Sequence, residues 1–378
     1  MATLSGLSIL SDSGAPEGCT DYTTLVVVHG YVWHGGIFSK LLPLAGRQGV
    51  RVILLNRREY PGSTPYTAEE RALLPSVTDR PPTDEAVIRS ATEMLETFMQ
   101  RRARELYECL QALVLDRSIP PMRSGSESSG IVLVGWSLGA IWMTALLSHV
   151  ARFPVDKVNL RDYMRRIVLF DPPACLLGYP YPEQNPYNPF YDTSLTHEER
   201  GRVFTNWITS YFSHGDTLDT FERRKTLQVP PPTLASMSAE DFQSTVRVPP
   251  GVPGGSDWTL LHGCFTFDIF SKLRVGAFFL SSGPDADSEA ATHPTGDEWR
   301  DVEVRYIWGD HSIWEAPYGA MMMRQEIDKA KREERPLRPI TIQRLKGANH
   351  FVSVGIETGI ALVVDQTVGP MGLSCRNT

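Results

Sequence analysis

The chain has 378 residues, of which 42% are hydrophobic and 21% charged, and a formal net charge of -7. That size and mixture suit one large core, or a core with a smaller inserted domain, and exclude a disordered or fibrous protein. The acidic balance leaves no basic excess to hold a phosphate backbone, so nucleic acid is excluded as a partner and a largely neutral small molecule is expected.

Residues 1–13 lack the basic start and unbroken apolar stretch of a signal peptide, and no later apolar run reaches the length of a membrane span. The expected location is therefore the cytoplasm. The five cysteines, Cys19, Cys109, Cys175, Cys264 and Cys375, form no C-x-x-C pair. They are expected to be buried thiols rather than a disulfide framework or a metal site.

Short apolar runs rich in β-branched residues, at 25–28, 50–55, 131–134 and 167–170, read as strands buried on both faces. Helical patterns alternate with them, as in a parallel sheet flanked by helices. Between the second and third runs, over residues 83–115, Ile88, Ala91, Leu95, Phe98, Leu106, Leu110 and Leu113 recur mostly at steps of three and four. That spacing predicts a long amphipathic helix, and the Ser/Gly/Pro stretch at 117–130 predicts an exposed, mobile loop.

After Pro172 the character changes to aromatic residues among prolines. A helix is predicted over 196–214, with Phe204, Trp207, Tyr211 and Phe212, and an apolar helix over 258–280, before an acidic loop at 281–298. Strands resume at 302–308 and 340–345. The expected division is a core in two parts, 1–175 and 299–378, with a helical cap and linkers inserted at 176–298.

The chemistry starts at Gly135-Trp136-Ser137-Leu138-Gly139, directly after one predicted strand and before the helical run 140–150. A serine on a sharp strand-to-helix turn needs small neighbours two residues away, and the helix N-terminus favours negative charge beside it. Ser137 is thus the candidate nucleophile. Upstream, a strand ends in His29-Gly30-Tyr31. The backbone N–H groups of Tyr31 and Leu138 are candidates for an oxyanion hole, with His29 in a structural role. His350 follows the last predicted strand and is the candidate general base, since serine first and histidine last is the order this arrangement uses. His311, on an earlier loop, is its rival. Trp33, Trp136, Trp207 and Tyr211 are the candidate pocket residues, which implies an apolar pocket with few polar points. There is no H-E-x-x-H, Walker phosphate loop or dinucleotide fingerprint, and no metal or organic cofactor is called for.

These motifs resemble the α/β-hydrolase superfamily over nearly the whole chain: His29-Gly30, the segment from Asn56 to Ser63, the serine elbow and His350. The segment beginning Arg57-Arg58 and running through Tyr60-Pro61-Gly62-Ser63 resembles fungal members. The resemblance implies a mostly parallel eight-stranded sheet flanked by helices, with an inserted helical cap. In most of the superfamily the triad acid lies three residues after a glycine closing the seventh strand. Here that glycine is Gly309 and the third residue on is Ser312, which cannot serve. The acid is therefore assigned to Asp171, at the end of the sixth strand, which resembles the placement in zearalenone-lactonase-like enzymes and pancreatic-type lipases; Asp310 is the alternative.

The reading implied is a serine hydrolase acting on a carboxylic ester or lactone of a hydrophobic small molecule, through an acyl-enzyme. Acyl transfer, thioester hydrolysis or cofactor-free lyase chemistry would use the same residues. Epoxide and haloalkane hydrolases of the superfamily carry aspartate where this chain has Ser137. A ligand-binding protein that keeps the fold without catalysis is the alternative from another class, and an intact histidine speaks against it.

Overall fold

In the computed structural model, residues 3–76, 81–123, 128–280 and 299–351 are described. Eight strands form one sheet: β1 (Thr3–Leu4), β2 (Leu7–Asp12), β3 (Thr23–Val28), β4 (Val50–Asn56), β5 (Ile131–Trp136), β6 (Met164–Phe170), β7 (Glu303–Gly309) and β8 (Ile340–Leu345). Their spatial order is β1-β2-β4-β3-β5-β6-β7-β8. The pairs from β4 through β8 are parallel, and β1 and β2 join antiparallel at one edge. The expected mostly parallel eight-stranded sheet is present. Every residue of β3, β4 and β5 is buried, as β-branched and aliphatic runs covered on both faces require.

The long helix spans Glu85–Arg117. Asp84 caps its start by accepting from the N–H groups of Ala86 and Val87, and Ser118 ends it in the left-handed region at φ 50°. Its stripe of Leu95, Phe98, Leu106 and Leu110 lies in the core. The stretch after it is not exposed throughout: Ile119, Pro120, Ser129 and Gly130 are buried, because both ends of the connection pack against the sheet's entry. Residues 124–127 lie outside the described ones.

Two expectations for the middle of the chain need correction. The apolar run at 258–280 is two helices, Ser256–Thr266 and Ile269–Phe278, broken where Asp268 takes φ 54°. Aspartate tolerates that left-handed turn, so the second helix swings onto Ala140–His149, the helix after the elbow, while the first lies toward the site. The helix expected at 196–214 is His197–Ile208, begun by a capping box between Thr196 and Glu199. The acidic loop at 281–298 lies outside the described residues.

Cys109, Cys175 and Cys264 are buried free thiols. Cys19 is not: it is half-buried and disulfide-bonded, which a position outside the core permits. Cys375 lies outside the described residues. Among the described residues no helix is long and apolar enough to cross a membrane.

One buried charge fixes the end of β4 to the stretch between β6 and β7. Arg57, 1% exposed, makes a two-pronged pair with Asp257 of the 256–266 helix, at 2.8 and 2.7 Å. Its remaining donors reach the carbonyls of His29 and Gly30, at 3.2 and 2.7 Å. The guanidinium also stacks over the Trp142 ring, 4.3 Å from its centroid. Removing one partner strands the other charge in a dry interior. Asp257→Ala is therefore expected to lower unfolding free energy by about 3–5 kcal/mol in chemical denaturation, well beyond the effect of an exposed aspartate replaced in the same way.

Candidate active site

The sheet delivers the candidate residues to its carboxyl edge, where loops follow β3, β5, β6, β7 and β8. Ser137 follows β5 directly with φ 52°, the strained left-handed turn expected of a nucleophile elbow, and the helix Ala140–His149 starts three residues later. Glycine is needed around it for space. A Cβ on Gly139 would sit 2.5 Å from the Val28 carbonyl oxygen, and one on Gly30 would sit 2.9 Å from Cβ of Ser137. The elbow and the end of β3 thus touch, which brings Tyr31 to the serine.

His350 and Asp171 complete a hydrogen-bonded chain. Ser137 Oγ lies 3.0 Å from His350 Nε2, and His350 Nδ1 lies 2.6 Å from Asp171 Oδ2. With Nδ1 facing a carboxylate, the proton sits there and Nε2 is left to accept from the serine. Asp171, 1% exposed and itself at φ 48°, is held by the Gly309 N–H at 2.8 Å and the Ser312 hydroxyl at 2.5 Å. Ser312 sits at the customary acid position, and here it donates to the carboxylate one strand away. Trp136 donates from Nε1 to the His350 carbonyl at 2.9 Å. Asn349 anchors the same loop to the Thr209 carbonyl and the Thr233 hydroxyl, both at 2.8 Å.

Asp310 is occupied elsewhere: it accepts from Gly347 N–H at 2.7 Å and from Arg344 Nε at 3.2 Å, closing the turn after β8. His311 is tied by Nδ1 to the Phe212 carbonyl at 2.6 Å. His29 sits behind the site, with Nδ1 on the Gly30 carbonyl and Nε2 accepting from Arg57 N–H. Burial and then the Arg57 charge hold its imidazole well below the usual histidine range, so it stays neutral.

Above the serine lies a cavity of about 70 Å³. Tyr31, Trp33, Trp136, Leu138, Trp207 and His350 all line it. Tyr211 does not: the helix ends at Ile208, so Tyr211 falls beyond the pocket-facing stripe and is buried near His311. Phe190 and Phe204 add an aromatic wall, edge to face at 4.7 Å.

The model of the alpha/beta hydrolase family matches residues 25–365. The chain belongs to the alpha/beta hydrolase family. Solved structures similar to this alpha/beta hydrolase include a bromoperoxidase from Bacillus anthracis, 14% identical, covering 94% of each chain with a TM-score of 0.41. An epoxide hydrolase from Vigna radiata is 13% identical, with 97% of this chain and 95% of that one covered and a TM-score of 0.44. The peroxisomal hydrolase Lpx1 of Saccharomyces cerevisiae is 11% identical, with 92% and 77% covered and a TM-score of 0.42. No curated protein matches the sequence.

A polar cluster in the cavity was not predicted from the sequence. Glu315, wholly buried, opens the helix Glu315–Arg332 and lines the cavity together with Cys175, Tyr181 and Asn188. Asn188 Nδ2 donates to Oε1 at 2.8 Å, Tyr181 donates to Oε1 at 3.2 Å, and the Cys175 thiol donates to Oε2 at 3.4 Å. The signal was a lone carboxylate in Ile313-Trp314-Glu315-Ala316, shortly after the strand run 302–308.

Burial pushes the Glu315 carboxyl up to about 7, against the hydrogen bonds of Asn188, Cys175 and Tyr181. Burial also raises the Cys175 thiol and the Tyr181 phenol, so both stay neutral beside it. The folded protein therefore holds this proton more tightly than the unfolded chain, and stability falls as pH rises from the ordinary glutamate value of 4.5 through about 7. Glu315→Gln removes that dependence. Urea denaturation should show the variant gaining on wild type by up to about 3 kcal/mol between about pH 5 and about pH 8.

Proposed function

We propose that this chain is a serine hydrolase that cleaves a carboxylic ester or lactone of a hydrophobic small molecule through Ser137, His350 and Asp171. The observation that carries the reading is the unbroken hydrogen-bonded chain from Ser137 Oγ through both His350 nitrogens to a buried carboxylate. His350 Nε2 takes the serine proton as Oγ attacks the acyl carbon. The N–H groups of Tyr31 and Leu138 receive the oxyanion, and the imidazolium then protonates the leaving alcohol. Water, deprotonated by the same imidazole, releases the acid from the acyl-enzyme. Asp171 keeps the proton on Nδ1 throughout and stabilises the imidazolium.

The substrate class follows from the walls. Trp33, Trp136, Trp207, Phe190 and Phe204 present rings to the space beside Ser137, which suits an apolar acyl or alcohol part. Residues from the inserted segment supply much of that wall, so it acts as the cap of the pocket.

Turnover of p-nitrophenyl esters by four variants tests this assignment. Ser137→Ala and His350→Ala are expected to lower kcat by about 10⁶-fold and Asp171→Asn by about 10⁴-fold. Asp310→Asn is expected to stay close to wild type. An inert Asp310→Asn beside an active Asp171→Asn would move the acid to the other strand and sink the assignment.

A further inference from the structure

The catalytic chain uses one polar end of the cavity and leaves Glu315 unexplained. A carboxyl at a helix start often serves only the helix, where negative charge is favoured. Two features go beyond that role. Glu315 is wholly buried, and it lines the same cavity as Ser137. Its two oxygens are also unequally served. Oε1 takes both good donors, Asn188 and Tyr181, whereas among the described residues Oε2 meets only the Cys175 thiol at 3.4 Å. A thiol is a weak donor, so Oε2 keeps hydrogen-bonding capacity that an apolar ligand would leave unmet.

We infer that Glu315, oriented by Asn188 and Tyr181, is the specificity-determining group of the cavity and selects ester or lactone substrates bearing a hydroxyl on an otherwise apolar skeleton. This rests on the serine hydrolase reading above. A hydroxyl both donates and accepts, so it pairs with Oε2 whether the carboxyl is ionised or holds its proton. An ammonium group pairs only with the ionised form, and a methyl group with neither. Because the carboxyl titrates near neutrality, a partner indifferent to its protonation state is the one that fits. A site built around a buried polar group discriminates strongly against an analogue that leaves it unpaired.

The test compares p-nitrophenyl alkanoates of increasing chain length ending in methyl, hydroxyl or ammonium. For wild type, kcat/KM is expected to favour the hydroxyl ending over methyl by about tenfold or more at one chain length, the worth of one hydrogen bond to a charged group. Glu315→Leu should abolish that preference and Glu315→Gln should keep part of it. A purely structural Glu315 would instead lower all three series in parallel. Equal efficiency for methyl and hydroxyl endings at every length overturns the inference, as does a preference for ammonium. If wild type turns over no ester, the hydrolase reading has failed. Calorimetry with Ser137→Ala and the matching alkanamides then decides this one: tighter binding of the hydroxyl-ended amide supports it, and equal binding overturns it.

Discussion

The arrangement depends on satisfying one buried carboxylate. Asp171 lies at the end of β6 with almost no solvent contact, and an ionised group there is tolerable only if its oxygens are filled. They are filled from three directions: Gly309 N–H at the end of β7, the Ser312 hydroxyl in the loop beyond it, and His350 Nδ1 after β8. The carboxylate therefore gathers three neighbouring strand ends onto one point. Through His350 it reaches a fourth, the Ser137 elbow after β5. Both Ser137 and Asp171 sit at positive φ, a conformation that costs free energy for residues with a Cβ and persists only where surroundings over-determine it. The parallel register of β5, β6 and β7 supplies that constraint.

The other side of the site rests on a second buried charge. Arg57 holds the His29 and Gly30 carbonyls while it pairs with Asp257, so the loop carrying Tyr31 and the helix Ser256–Thr266 share one anchor. Tyr60 joins the cluster, its hydroxyl 2.6 Å from Asp257 and accepting from Val32 N–H at 3.0 Å. The cavity formed between these anchors is aromatic along most of its wall and polar at two places, the Ser137–His350 pair and Glu315. Apolar walls strengthen both, since a hydrogen bond in a dry surrounding meets less competition from water.

Much of this was legible in the sequence, for identifiable reasons. Strands β3 to β6 are dominated by apolar residues because both their faces are covered, and Ser137 announces itself through the glycine spacing its turn requires. His350 was readable from chain order. Asp171 was preferred over Asp310 only through a resemblance, because the choice turns on which carboxylate meets an imidazole 179 residues away in the chain. A local pattern shows a carboxylate near a strand end but not its neighbour. Ser312 shows the same limit: its sequence position marks what it cannot be, and only its contact with Asp171 shows what it does. The break at Asp268 was hidden because apolar periodicity on either side is compatible with one helix. Tyr211 was misplaced because a stripe read at helical spacing continues past the residue where the helix stops. Glu315 went unnoticed because burial, not residue type, makes it unusual, and Cys19 because one cysteine carries no pairing information.

The proposed chemistry requires Ser137 to be a nucleophile activated by His350. Treating the protein with a fluorophosphonate, digesting it and mapping the adduct by mass spectrometry tests that claim most directly. One phosphonylated residue is expected, Ser137, with labelling lost when His350 is replaced by Ala. Labelling at another residue, or none on folded wild-type protein, would contradict it.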